Sequence, residues 1–110
     1  MWHAFQNGET IGKAGSEGGQ IVADEEHVDG ARITLEKCDR PPAAITCGIY
    51  GFMMHTRYFS SVAVAQPEYE EMKLEMGRIL KNFADESVDA EQANHNLFAA
   101  VEQFVERFPT

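Results

Sequence analysis

The stretch Ile45 to Phe59, Ile-Thr-Cys-Gly-Ile-Tyr-Gly-Phe-Met-Met-His-Thr-Arg-Tyr-Phe, restricts the possible folds more than any other part of the chain. It is rich in β-branched and aromatic residues, which suit a pleated, half-buried surface, and it holds no acidic side chain. Fully extended it would span roughly 50 Å, too long for one straight strand in a small domain. A bend or bulge is therefore expected near Gly48 or Gly51, where the missing side chain makes a kink cheap. Apolar groups fall on both faces: Ile45, Cys47, Ile49 and Met53 alternate with Tyr50, Phe52, Met54 and Tyr58. A strand of that kind is central, and something must cover each of its sides.

The chain has 110 residues, enough for one core and not for two, so a single domain over 1–110 is expected. A hydrophobic fraction of 44% with 25% charged residues excludes a disordered chain. The formal net charge is −9, and residues 66–110 hold four Lys or Arg against ten acids. That balance argues against nucleic acid and against an anionic membrane surface, both of which need clustered cations. The N-terminal residues Met-Trp-His-Ala-Phe-Gln lack the pattern of a signal peptide, and no run approaches the ~20 apolar residues of a spanning helix. A cytoplasmic protein with reduced thiols is the expectation.

Trp2 to Gln6 reads as a short strand. Asn7-Gly8 is a turn signal, and a second strand is expected over Glu9–Lys13. Gly15-Ser16-Glu17-Gly18-Gly19 demands a loop. It lacks the Lys-Ser/Thr of a phosphate-binding loop and leads into a strand. Gln20–His27 is the next strand, with a turn at Val28-Asp29-Gly30. In Ala31–Cys38 the apolar Ala31, Ile33 and Leu35 alternate with Arg32, Thr34 and Glu36. Asp39-Arg40-Pro41-Pro42-Ala43 ends that strand, since prolines donate nothing to a ladder. Pairing Cys38 with Ala44 sets Leu35 opposite Cys47; the face pattern selects that register or one an even step away.

A helix is expected to begin at Gln66-Pro67 and run to about residue 83, with Tyr69, Met72, Met76, Ile79 or Leu80, and Phe83 as its buried stripe. Gly77 in its middle suggests close packing on the sheet. Asn82 to Val88 is the break. A last helix over about 89–108 starts at an Asp89 N-cap, with Gln92 placed as in a capping box and Val88 with Ala93 as a hydrophobic staple. Ala93, Leu97, Ala100 or Val101, Phe104 and Phe108 form its apolar stripe, flanked by Phe98 and Val105. Strands first and helices last predict an α+β fold: an antiparallel β-meander of four to five strands within 1–59, followed by two C-terminal helices packed mainly on one face.

Four constellations bear on function. Asp24-Glu25-Glu26-His27 resembles a ligand set, but on a strand Glu25 and His27 can converge only while Asp24 and Glu26 point away, and a solvated hairpin end is the expected reading; no metal is expected. His55 and Arg57 share a face beside Tyr58 and form a candidate anion or ligand site at the polar end of a cleft between sheet and helices. Cys38 and Cys47 fall on opposite faces of neighbouring strands, which predicts two free thiols. No catalytic or cofactor motif is present, and no cofactor is expected. The fourth constellation is the even-numbered face, Tyr50, Phe52, Met54 and Tyr58, which becomes an open surface if both helices pack on the other side. Aromatic residues and Met are enriched in interface cores. The sequence therefore reads as a non-enzymatic protein–protein interaction module that self-associates, most simply as a homodimer, through those four residues. The competing reading is a small-molecule or anion binder, or an enzyme, that uses His55, Arg57 and Tyr58.

Overall fold

The structure is a computed structural model that describes residues 1–83 and 89–110. Its strands are β1 (Trp2–Ala4), β2 (Gln20–His27), β3 (Ala31–Lys37), β4 (Ala43–Ile49) and β5 (Met53–Phe59). They form one five-stranded antiparallel sheet in the order β1-β2-β3-β4-β5. Two helices follow, α1 (Val62–Phe83) and α2 (Ala90–Arg107). The α+β meander with two C-terminal helices is thus the architecture of the chain.

Alternation decides which side is core. Ala31, Ile33, Leu35, Ile45, Cys47, Ile49 and Met53 share the odd-numbered face, and they are buried against Tyr69, Met72 and Met76 of α1 and Leu97 and Phe104 of α2. Both helices therefore cover the same side of the sheet. On α2 the exposed flanks Phe98 and Val105 lie outside this stripe.

The long stretch Ile45–Phe59 is not one bent strand but the two halves of a hairpin. Tyr50, Gly51 and Phe52 turn between β4 and β5, with Phe52 N–H donating to Ile49 C=O at 2.9 Å. Gly51 holds φ +82°, a conformation that suits glycine at the third position of such a turn. The β3–β4 hairpin pairs Leu35 with Ile45 and Ile33 with Cys47, two residues from the register of the Cys38–Ala44 pairing and of the same face parity. The step is set at the loop, where Cys38 N–H donates to Pro42 C=O at 2.8 Å. A proline cannot donate to a ladder, yet its carbonyl still accepts, so the hairpin closes tighter than the sequence suggests.

The N-terminal third departs furthest from expectation. Asn7 and Gly8 do adopt positive φ, but Phe5–Gly8 is a short 3-10 turn and Glu9–Lys13 forms further turns instead of a strand. β1 pairs with the far end of β2, Trp2 opposite His27. Residues 12–14 return along β2 through Gly12 N–H to Ile21 C=O and Ile21 N–H to Lys13 C=O. The following loop crosses the even-numbered face of the sheet.

α1 begins four residues before Gln66: the Ser61 hydroxyl accepts the Val64 N–H at 3.0 Å and caps it. Pro67 consequently sits inside the helix. Its missing N–H and steric cost are offset by the first turn, where Ala65 is buried and Val62 packs on the core. Gly77 lies beside Trp2 and His27 with room for a methyl group, so it is not needed for close approach. Asp89 caps α2 by accepting from Gln92 N–H at 2.8 Å, while the Gln92 side chain bonds Asn96 instead of returning to the cap. The Val88–Ala93 staple and most of the Asn82–Val88 break lie outside the described residues.

Candidate functional site

The even-numbered face is partly roofed by the loop that precedes β2. Glu36, fully buried on β3, accepts from the N–H groups of Glu17 and Gly19, both at 3.2 Å. A Cβ on Gly15 would fall 2.2 Å from the Glu36 carboxyl carbon, so the loop passes this close only as glycine. Beyond Glu36 the loop reaches two further strands. Ser16 Oγ lies 3.4 Å from Thr46 Oγ1 on β4, and the Tyr58 hydroxyl on β5 donates to Glu17 at 2.6 Å.

Asp24 anchors the other end of this face. Its carboxylate accepts from Arg32 Nε at 2.9 Å and Nη2 at 2.7 Å, from Thr34 at 3.1 Å and from Thr10 at 2.8 Å. The Arg32 guanidinium is stacked 3.7 Å from the centre of the Phe5 ring. Hence Asp24 is not part of a solvated hairpin end: four donors make its burial tolerable. Its neighbours alternate as a strand requires. Glu25 faces α1, where Tyr69 donates to it at 2.8 Å and Lys73 pairs with it at 2.7 Å, while Glu26 accepts from Tyr50 at 2.6 Å. His27 packs edge-on against Trp2 with ring centres 5.1 Å apart. Among the described residues no group of three His, Cys, Asp or Glu side chains is placed to hold a metal ion.

What the loop leaves uncovered is a strip along β5 and the preceding turn. Met54 is 78% exposed, and Tyr50 and Tyr58 are each 49% exposed. Between strip and loop lies a cleft of about 260 Å³, floored by Thr34, Thr46 and Gly48 and walled by Ser16, Tyr50 and Met54. Gly48 shapes it: a Cβ there would stand 2.8 Å from Met54 Sδ, so its absence lets the thioether lie across β4. Both strip tyrosines stay protonated at neutral pH. Burial and the bond to Glu26 push the Tyr50 hydroxyl up to about 12, and the bond to the Glu17 carboxylate raises that of Tyr58. The strip can thus offer two phenolic groups and a thioether, but no ionised nucleophile.

Phe52 does not lie with these three. It sits in the turn on the helix side, packs on the core and meets the Phe98 ring with centres 5.7 Å apart. The turn breaks the alternation that places Phe52 with Tyr50 in the sequence.

His55 and Arg57 share the odd face, as expected, but the end of the chain closes over them. His55 Nε2 donates to the Phe108 carbonyl. Arg57 Nε donates to the Pro109 carbonyl at 3.0 Å, its Nη2 meets Glu68 at 3.0 Å, and its Nη1 contacts Met72 Sδ at 3.5 Å. A guanidinium engaged on all three nitrogens has its charge met within the chain, and Tyr58 points to the opposite face. The structure therefore does not gather His55, Arg57 and Tyr58 into one cleft.

Both cysteines are free. Burial pushes the Cys47 thiol up to about 12, while Cys38 is half-buried at the loop and also raised, chiefly by burial. Neither has the electropositive, exposed setting of a reactive thiolate. No helix among the described residues is long and apolar enough to cross a membrane. No protein-family model matches the chain, nor does any curated protein or solved structure.

Proposed function

We propose that this chain is a non-enzymatic protein-interaction module that binds a second copy of itself through the strip formed by Tyr50, Met54 and Tyr58. The observation that carries this reading is the exposure of Met54, 78% on a strand of the sheet. A large apolar side chain held in the open between two half-exposed tyrosines is the composition of an interface core. Charge supports the same occupant. The chain carries −9 overall, yet no Asp or Glu occurs between Arg40 and Pro67. Two like-charged copies repel over most of their surfaces and meet at least cost at this strip, where the flanking carboxylates of Glu26 and Glu17 are hydrogen-bonded to Tyr50 and Tyr58. Phe52 is not a contact residue in this reading, because its ring belongs to the core.

Light scattering over a range of protein concentrations tests it. The weight-average molar mass is expected to rise from that of one chain to that of two as concentration increases, and to level there. A mass of one chain throughout the range would overturn the proposal.

A further inference from the structure

We infer that the two copies join edge to edge, β5 against β5 in antiparallel sense, so that their sheets become one. The inference rests on the self-association proposed above and specifies its geometry. β5 is the last strand of the sheet, and one of its long sides has no strand beside it among the described residues. Alternate residues of such an edge turn N–H and C=O groups outward, ready to pair. The opposite edge strand, β1, spans only three residues, against seven in β5. Short edge strands are one way in which sheets avoid association, and β5 lacks that protection. An inward-pointing charge is another such device, but Arg57 is already met by Glu68 and the Pro109 carbonyl.

The strand is also complementary to itself. Opposite residues in an antiparallel pair share a face, so a two-fold axis normal to the sheet keeps the two exposed strips on one side. Full overlap of Met53–Phe59 sets Thr56 opposite its own copy and Met54 opposite Tyr58 of the second chain, in both directions. Met against an aromatic ring is a favourable cross-strand pair. The acids that touch this strip are Glu17 and Glu26, whose carboxylates are occupied by the Tyr58 and Tyr50 hydroxyls. With the two Tyr58 residues four positions apart along the ladder, the two Glu17 side chains stand beyond the reach of strong repulsion at physiological salt.

Cysteine cross-linking reads this register. In a Cys38→Ser background, Thr56→Cys is expected to form a covalent dimer under mild oxidation, since directly opposed Cβ atoms lie within reach of a disulfide. Met54→Cys alone is expected to stay monomeric on a non-reducing gel, whereas Met54→Cys mixed with Tyr58→Cys forms a covalent heterodimer. The mixed pair alters the contact strip itself, so it is read at a concentration where light scattering shows its own mass to be that of two copies, and it serves if Thr56→Cys folds poorly. If light scattering finds the dimer but neither Thr56→Cys nor the mixed pair cross-links, edge pairing is wrong and self-association stands. A chain that remains monomeric in light scattering overturns the underlying reading instead.

Discussion

Met76→Ala and Leu97→Ala are each expected to lower the unfolding free energy by about 2–5 kcal/mol. Met76 is fully buried and Leu97 nearly so, one on each helix, and both belong to the cluster that includes Ile33 and Ile45 of the sheet. Truncation removes apolar contact and leaves a cavity lined by groups from strands that are fixed by their ladders and cannot close it. The loss grows with the volume left empty, which is why a range is expected and not one value. Urea denaturation at neutral pH measures it. A loss below about 1 kcal/mol for either variant would mean that the helix does not pack on the sheet as described.

Asp24→Ala is expected to cost about 3 kcal/mol, the scale for removing one partner of a buried ion pair. The Asp24 side chain has no exposed surface, whereas that of Arg32 is 35% exposed, so Arg32 regains some hydration when its partner is lost. The hydroxyls of Thr10 and Thr34 lose their acceptor at the same time. Asp24→Asn, which keeps a carbonyl oxygen for those donors, is expected to cost less. Equal losses for the two variants in denaturant titrations would show that hydrogen bonding at Asp24 is not what stabilises this face.

The physical reasons why parts of the fold were legible in the sequence are specific. β3 and β4 were readable because a one-residue slip would turn Ile33 and Leu35, or Ile45 and Cys47, to the wrong face. Parity is all that such a pattern supplies; the exact step came from the Pro42 carbonyl, a backbone feature that side-chain alternation does not report. The length of Ile45–Phe59 required a break, but Gly51 as a turn and Gly48 as a floor under Met54 look alike in sequence. α1 starts at Val62 because Ser61 caps it, whereas Pro67, a residue typical of a first helical turn, lies inside the helix.

The candidate site was legible in part. Alternation placed Met54 and Tyr58 on one face, and Tyr50 is exposed beside them. Phe52 was misplaced because residues in a turn do not obey the two-residue period. The loop itself follows from its glycines, but its seat over Glu36 does not: it is held by backbone N–H groups donating to one carboxylate, and any of many acids would look equivalent in the sequence. A signal was nonetheless present in Gly15 and Gly19, whose added side chains would collide with Glu36 and with Cys38. His55 and Arg57 looked like an open pair because their partners, the Phe108 and Pro109 carbonyls, lie some fifty residues away in sequence.

The account turns on the strip being a contact surface and not a part of the core, and the molar mass of Met54→Glu beside the unaltered chain tests that most directly. At a concentration where the unaltered chain has the mass of two copies, Met54→Glu is expected to have the mass of one, because it places an unpaired carboxylate in the apolar contact. Its thermal unfolding midpoint is expected to match that of unaltered chains diluted until monomeric, since an exposed substitution costs a folded monomer little, within about 0.5 kcal/mol. A Met54→Glu chain that stays dimeric, or one that unfolds, would contradict the account.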